Sequence, residues 1–93
     1  MQATIGRIVT AIVEPTRNNG SDTCPAVLTR VWGETSIGGE HASTVNARLL
    51  LDQSEVGWAT SVPLFDGEDQ ARAYLREGGN APGRVAAFWP ARV

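Results

Sequence analysis

Five segments of this 93-residue chain have the composition or the two-residue period of β-strands, and only one segment has a helical period. The segment 43–52, STVNARLLLD, alternates most strictly, and alternation sends successive side chains to opposite faces of a strand. Its apolar members share one face of the predicted strand: Val45, Ala47, Leu49 and Leu51. The members of the other face are Asn46, Arg48 and Leu50. This patterning predicts a fold made mainly of β-structure.

The N-terminal half contains two further predicted strands. The segment 3–14 is rich in β-branched residues, and Gly6 within it indicates a bulge or the close approach of another backbone. Asn19-Gly20 predicts a turn, and the second strand follows at 25–33, with a proline at its first position. The polar stretch 34–43, ETSIGGEHAS, is predicted to be a loop with its glycine pair at the tip.

The C-terminal half contains the remaining two strands. The segment 57–64 is expected to form a hairpin with the strand before it, and strict alternation would place Trp58, Thr60 and Val62 on a common face. The last predicted strand is 84–90, which follows a turn built from proline and glycine.

A change of period between these two strands marks the one predicted helix, at 66–77. Acidic residues crowd its first turn, where Asp66 and Asp69 resemble a capping box. The apolar side of the helix has i, i+3, i+4 spacing and consists of Ala71, Tyr74 and Leu75. A glycine pair after the helix is a typical stop signal.

Five strands with one short helix before the last strand predict a single domain, 1–93, of the mainly β class. The architecture that fits best is a small SH3-like barrel or a partly open five-stranded barrel. Pairing of the last strand with the first would close the barrel and remove two sheet edges. Alternation within the last strand would send Phe88 and Trp89 to opposite sides of it.

The composition excludes several classes of function. The formal net charge is -2 and the pI about 5.2, so no overall basic field exists to hold a nucleic-acid polymer. No apolar run approaches the roughly 18 residues of a transmembrane helix, and no signal peptide is apparent. Cys24 is the only cysteine and cannot form an intramolecular disulfide. We therefore expect a cytoplasmic protein with no membrane partner.

Residues with catalytic or metal-binding chemistry are sparse. His41 is the only histidine and Cys24 the only cysteine, which leaves a Cys–His nucleophile pair open but supplies no spaced set of metal ligands. No nucleophile elbow, phosphate-binding loop or zinc-protease motif occurs. The sequence thus predicts no enzyme, no cofactor and no metal site.

Arginine, tryptophan and hydroxyl residues on or beside the strands form the most informative group. Arg30 and Trp32 share a face of the second strand, and an arginine beside a tryptophan can stack on it or present a rigid fork to a phosphate. Each tryptophan could equally fill the barrel core, and each arginine could belong to the solvated surface. The predicted ligand-binding residues are Arg7, Arg30, Trp32, Trp58, Thr60, Ser61, Trp89 and Arg92. Asn46 and Arg48 belong to the same polar and aromatic group.

Four short blocks resemble a widespread group of small bacteriophage proteins. They are IGRIV at 5–9, PAVLTRVW at 25–32, GWATSV at 57–62 and FWPARV at 88–93, in the order and spacing of that group. The chain departs from the group at Thr10-Ala11, where relatives carry an aromatic or histidine-bearing pair. It also departs at Gln53 and Ala91, where relatives have glycine and proline.

This resemblance, together with the arginine and tryptophan surface, implies similarity to the phage sponge proteins that counter CBASS defence. Those proteins sequester cyclic nucleotide immune signals without cleaving them, typically between the subunits of a homo-oligomer. By that analogy, Arg7, Arg30 or Arg92 would neutralise phosphates, and Thr60 and Ser61 would donate hydrogen bonds to them. Trp32, Trp58 or Trp89 would stack on bases.

The resemblance therefore implies an immune-evasion protein in the cytoplasm of an infected bacterium. Its expected partners are a small cyclic nucleotide and further copies of the same chain. The alternative from a different class is an SH3-like module that docks a peptide or a host protein, or that serves in phage assembly. Convergence of Arg30, Trp58 and Thr60 would favour a nucleotide, whereas a flat aromatic groove without basic residues would favour a peptide.

Overall fold

Five strands form a closed barrel in the computed structural model, which describes residues 3–37, 40–54, 56–77 and 85–90. The strands are β1 (Ile8–Ile12), β2 (Thr23–Ile37), β3 (Glu40–Leu49), β4 (Gly57–Phe65) and β5 (Ala86–Phe88). A short 3₁₀ helix, Pro15–Arg17, follows β1, and the α-helix α1, Glu68–Arg76, precedes β5. The predicted fold class, a mainly β five-stranded barrel with one helix before the last strand, is confirmed.

Strand pairing closes the barrel between the first and last strands. Consecutive strands from β1 to β4 pair antiparallel. The short strand β5 pairs antiparallel with β1 and parallel with β4, so it joins the two edges of the meander. Closure of this kind satisfies backbone groups that an open sheet would leave unpaired at its edges.

The first strand is shorter than the sequence pattern predicts. Residues before Ile8 form a turn in which Gly6 has a φ of 92°, a left-handed conformation that glycine adopts without steric penalty. The Gly6 N–H donates a hydrogen bond of 2.8 Å to the carbonyl oxygen of Leu28 on β2. Gly6 therefore marks a close backbone contact at a turn and not a bulge within a long strand.

The prediction of a loop at 34–43 is wrong, because strands lie on both sides of its glycine pair. β2 continues to Ile37 and β3 begins at Glu40, and the two strands pair from Glu34 with Ser43 to Ile37 with Glu40. The polar residues and the glycine pair gave this segment the composition of a loop, but strand propensity depends on context, and the same composition is compatible with a paired hairpin. The glycine pair itself, Gly38-Gly39, lies outside the described residues.

The barrel interior holds the larger of two hydrophobic clusters. The apolar face predicted for 43–52 is confirmed, because Val45, Ala47, Leu49 and Leu51 are all buried in this cluster. The interior cluster also contains the following residues: Val9, Ala11, Val13, Cys24, Ala26, Leu28, Ala59, Val62, Leu64, Val85, Ala87 and Trp89.

A second cluster lies outside the barrel wall, beneath α1. Ala71 and Leu75 of the helix are buried there and Tyr74 packs against it, which confirms the predicted apolar side of α1. The barrel wall contributes Ile12, Ala42, Phe65, Ala86 and Phe88. Phe88 thus points outward while its neighbour Trp89 points into the core, as alternation predicts.

The start of α1 differs from the predicted capping box of Asp66 and Asp69. The N-cap residue is Gly67, whose N–H donates a hydrogen bond of 2.8 Å to Oε1 of Gln70. Asp69 instead lies in the first turn, where a negative charge interacts favourably with the helix dipole.

Candidate functional site

The part of the barrel wall that α1 does not cover carries most of the predicted site residues. We call it the outer β2–β3–β4 face, and it consists of Arg30, Trp32, Asn46, Arg48, Trp58, Thr60 and Ser61. Trp32 and Trp58 are each 52% exposed, whereas Asn46 between them is only 8% exposed. Large aromatic side chains that remain half-exposed around a buried polar residue distinguish this face from ordinary surface.

A register shift between β3 and β4 opens the face at its centre. The flanking pairs are two residues apart on β3 but three apart on β4: Val45 with Val62, and Ala47 with Ala59. Thr60 and Ser61 therefore both lie opposite Asn46, as in a β-bulge. Ser61 takes the left-handed conformation there, with a φ of 55°, which is uncommon for a residue other than glycine.

The same shift corrects the predicted common face of Trp58, Thr60 and Val62. The extra residue in β4 reverses the alternation after Thr60, so that Val62 points into the core and is fully buried. Trp58 and Thr60 remain on the outside. Strict alternation across 57–64 could not have predicted this change of face.

Asn46 connects the strands through its side-chain oxygen. Its Oδ1 accepts hydrogen bonds from Trp32 Nε1, from Thr60 Oγ1 and from the Ser61 backbone N–H, each 2.9 Å long. The indole and backbone N–H groups can only donate, so the atom that they meet has to be the amide oxygen. The orientation of the Asn46 amide is therefore fixed by its donors, and the network holds all three strands in register.

Register shifts on β2 place Arg30 and Trp32 beside this network. The pairing of β2 with β3 is irregular between Leu28 and Arg30 and again between Val31 and Gly33. Arg30 lies opposite Asn46, and its Cζ atom is 3.9 Å from the centroid of the Trp32 ring. A guanidinium at this distance stacks on the indole as a cation–π pair. Trp32 is thus held at its edge by Asn46 and on one ring face by Arg30.

Arg48 and Trp58 form the neighbouring row of the face. They are directly paired across β3 and β4, and both are exposed. On the other side of Arg48 lies Val27 of β2, which pairs in turn with Ile8 of β1. The outer β2–β3–β4 face therefore carries two guanidinium groups and no carboxylate, although the whole chain has a net charge of -2. Positive charge is concentrated at the aromatic side chains.

The structure brings together Arg30, Trp32, Trp58, Thr60 and Ser61 from the predicted set, and it places other members elsewhere. Trp89 is buried in the barrel core, where its ring cannot stack on a base. Arg7 lies over that ring, with its Cζ atom 5.3 Å from the centroid, and so is associated with Trp89. Arg92 lies outside the described residues.

Asn46 and Arg48 complete the face although the predicted ligand-binding set omits them. Alternation in 43–52 does assign both to the non-core side of the strand. Their position could have added them to that set, because they occupy the central strand between Trp32 and Trp58. Only the three-dimensional pairing, with Asn46 opposite Arg30 and Arg48 opposite Trp58, makes that position apparent.

The nucleophile pair left open by the sequence is not assembled. Cys24 is buried in the barrel interior, and burial raises the pKa of its thiol, which disfavours the reactive thiolate. Cys24 pairs with Ala11 near the start of β2, whereas His41 pairs with Ser36 near the end of that strand. Cys24 therefore lies at the start of β2, and His41 lies on β3 opposite the far end of β2.

A recess of about 320 Å³ lies away from this face, between the end of β1 and α1. Its lining residues are Ile12, Val13, Glu14, Arg72, Leu75 and Arg76. The guanidinium of Arg72 is already bound by Asp22 at 2.9 Å and by Glu68 at 2.7 Å. The recess contains none of the described site residues, so shape alone does not identify the face on which the aromatic and basic groups converge.

The described part of the chain contains neither a metal-binding cluster nor a membrane-spanning helix. Within residues 3–37, 40–54, 56–77 and 85–90, no three histidine, cysteine or acidic residues are grouped so as to hold a metal ion. Across the same ranges, no helix has both the length and the apolar character needed to span a membrane.

Comparison with known proteins identifies no relative of this chain, so the site is interpreted from its own geometry. Neither the protein-family models, nor the curated proteins, nor the solved structures gave a match. The contacts, burial and charge of the outer β2–β3–β4 face are therefore the basis for inferring its function.

Proposed function

We propose that the outer β2–β3–β4 face binds a small nucleotide, such as a cyclic dinucleotide, without cleaving it. The observation that carries this proposal is the convergence of two half-exposed tryptophans with two arginines around one buried asparagine. A flat groove for a peptide would need aromatic side chains but no such concentration of positive charge. A nucleotide needs both, because it combines aromatic bases with anionic phosphates.

Each residue class on the face has a defined role in this binding. Trp58 supplies an exposed ring on which a base can stack, an interaction of about 1–3 kcal/mol per base in proteins that bind single strands. The Arg30–Trp32 pair supplies a second stacking surface. Arg30 and Arg48 neutralise phosphate, and the exposed Ser61 hydroxyl donates to a phosphate oxygen. Thr60 acts indirectly, since its hydroxyl is used by Asn46.

The net charge favours a small ligand over a nucleic-acid polymer. Polymer binding depends on many phosphate contacts along an extended basic surface. This chain concentrates its basic character in one small face of an acidic protein, which suffices for one or two phosphates. The resemblance to phage sponge proteins supports the same conclusion and adds the biological setting. In that setting the protein sequesters a cyclic nucleotide immune signal in the cytoplasm of an infected bacterium.

Native mass spectrometry and isothermal titration calorimetry test the proposal directly. The purified protein is titrated with a panel of cyclic dinucleotides, cyclic trinucleotides and cyclic ADP-ribose isomers. We expect at least one member to bind with micromolar or tighter affinity and to be recovered chemically intact. Absence of binding by every member, together with an unchanged melting temperature, would overturn the proposal. Recovery of a hydrolysed nucleotide would overturn sequestration without cleavage.

A matched pair of arginine variants tests the site. Arg30→Ala removes the guanidinium that stacks on Trp32, and we expect affinity for the bound nucleotide to fall at least tenfold. Arg76→Ala removes the same charge from exposed surface of α1 and should change affinity less than twofold. Equal losses in both variants would mean that net charge governs binding and that the face is not the site.

A second candidate function is a protein interface, favoured by the apolar residues that flank the face. Ile8, Leu50 and Val56 are 60%, 44% and 61% exposed. Ile8 lies at the β1 end of the row of paired residues that contains Arg48 and Trp58, and Val56 comes two residues before Trp58. A row of exposed apolar side chains on a barrel wall is a typical docking surface. The expected partner is a second copy of the chain, in line with the homo-oligomer that the resemblance implies.

Sedimentation measured over a range of protein concentrations separates the two candidates. Ile8→Asp introduces a charge into the apolar row while leaving Arg30, Trp32 and Trp58 intact. Loss of self-association with retained nucleotide affinity would assign the row to an oligomer interface. A monomer at every concentration, in the wild-type protein, would remove the second copy as the partner.

A further inference from the structure

The side chain of Asn46 has a second functional group that the hydrogen-bond network does not use. Its Oδ1 accepts three hydrogen bonds, which fixes the orientation of the amide. The Nδ2 group, with two N–H donors, is directed away from those three donors by the planar geometry of the amide. Within the described residues, Asn46 donates no hydrogen bond through Nδ2.

The Nδ2 atom nevertheless reaches the surface. Every fully buried side-chain nitrogen or oxygen atom of the described residues has a hydrogen-bond partner. A nitrogen of Asn46 without a partner must therefore retain contact with solvent, which accounts for part of the residue's remaining 8% exposure. A donor held rigidly at the floor of an otherwise covered position is a typical means of recognising one acceptor atom.

The neighbours of this amide indicate the kind of acceptor that it meets. Arg30 lies directly opposite Asn46 on β2. Arg48 lies two residues further along β3, about 7 Å away on the same face. An acceptor that approaches Nδ2 on the face that carries Arg30 and Arg48 is most strongly stabilised when it is anionic. A phosphoryl oxygen therefore fits this position better than a neutral carbonyl or ring nitrogen of a base.

We propose that Asn46 is a specificity-determining residue whose Nδ2 group donates a hydrogen bond to a phosphoryl oxygen of the bound nucleotide. This inference rests on the proposed function of the face. It assigns two roles to one side chain: Oδ1 positions Trp32 and the Thr60–Ser61 bulge, and Nδ2 reads the ligand. The site then selects ligands that present an anionic oxygen between their stacked bases and rejects those that present a donor or a cation there.

The substitution Asn46→Asp separates the two roles. One carboxylate oxygen can accept the same three hydrogen bonds, and ionised acceptors make stronger ones, so the fold and the position of Trp32 are retained. The other oxygen replaces the outward donor with a negative acceptor. We expect a melting temperature close to that of the wild-type protein and at least a tenfold loss of affinity. The probe is the tightest-binding nucleotide of the panel described above.

Gln53→Glu is the matched control, because it adds the same charge in the exposed connection between β3 and β4. It should change affinity for the same nucleotide less than twofold. Wild-type affinity in a folded Asn46→Asp variant would overturn the inference and leave the proposed function intact. Absence of binding to the wild-type protein would instead remove the proposed function and the inference with it.

A measurement on the wild-type protein keeps the inference testable if Asn46→Asp fails to fold. In a ¹⁵N-labelled sample, the side-chain NH₂ resonances of Asn46 should shift and become protected from solvent exchange on addition of the nucleotide. The NH₂ resonances of Asn19, in the exposed turn after the 3₁₀ helix, serve as a reference and should remain unchanged. Unchanged Asn46 resonances in a nucleotide-saturated sample would overturn the inference.

Discussion

The barrel wall has two outer regions that differ in the solvent exposure of their aromatic residues. Beneath α1, Phe65 is 1% exposed and Phe88 is 6% exposed. On the outer β2–β3–β4 face, Trp32 and Trp58 are each 52% exposed. Both regions belong to the same closed sheet, so the difference does not arise from the barrel itself.

The neighbours of these aromatic residues explain the difference. In the covered region, small residues such as Ala42, Ala71 and Ala86 let the helix approach the sheet closely. On the outer β2–β3–β4 face, by contrast, Arg30 and Arg48 occupy the corresponding outward positions, and hydrogen bonds to Asn46 replace apolar packing. The covered region is thus completed by the chain's own helix, whereas the tryptophans of the outer β2–β3–β4 face remain half-exposed.

The largest expected effect comes from a comparison of one aromatic residue from each region. Phe65→Ala should lower the free energy of unfolding by about 3–5 kcal/mol, because it leaves a cavity beneath α1. Trp58→Ala should lower it by less than about 1 kcal/mol, because the indole is already half-exposed. Urea denaturation of both variants measures the two values. Similar losses of unfolding free energy would mean that Trp58 contributes to the packing of the barrel and that the outer β2–β3–β4 face has a structural role.

The bulge provides a second test, of intermediate size. A β-branched side chain is strained in the left-handed conformation of Ser61, so Ser61→Val should be destabilising by about 1–2 kcal/mol. Ser61→Gly should change stability by less than about 1 kcal/mol, because lost strain and gained chain entropy offset each other. Equal effects of the two substitutions in thermal denaturation would show that the backbone conformation at Ser61 is not what limits this face.

The smallest expected effect concerns the ion pair that ties α1 to the barrel. The hydrogen bond from Arg72, with its positive charge, lowers the pKa of Asp22 below the usual carboxyl range. The ion pair therefore contributes stability above about pH 4, and that contribution is lost as the pH falls through the lowered pKa of the folded state.

Asp22→Asn should accordingly lower the melting temperature slightly at neutral pH and not at all in strong acid. The effect is small because both partners are partly exposed to solvent. Melting temperatures of the variant and the wild-type protein, measured from neutral pH to about pH 2, provide the check. A difference that persists in strong acid would arise from something other than the ionised carboxylate.

Much of the fold could be predicted because it depends on local periodicity. Alternation in 43–52 identified a strand and its buried face, and the spacing of Ala71 and Leu75 identified the apolar side of α1. Closure by the last strand followed from counting strands around a small barrel. The first two features are encoded within about ten residues of one another, which is the range over which a sequence pattern is informative, whereas closure depends on the number and order of the strands.

The features that shape the candidate site depend instead on pairing between distant strands. The bulge at Thr60–Ser61 contains no glycine, and its left-handed residue is stabilised by a hydrogen bond to Asn46, 15 residues away. The burial of Trp89 and the exposure of Trp58 depend equally on which face each strand presents after closure. A tryptophan at a strand position is compatible with either environment until the register is known.

The three tryptophans of the chain lie in three different environments, and this has a practical consequence. Trp89 is buried in the core, Trp32 is hydrogen-bonded at its edge and stacked by Arg30, and Trp58 is half-exposed. Intrinsic tryptophan fluorescence therefore reports on the outer β2–β3–β4 face without any label, since two of the three tryptophans lie on it. Iodide should quench Trp32 and Trp58 readily and Trp89 hardly at all, so a ligand that protects the fluorescence from iodide would be located on the outer β2–β3–β4 face.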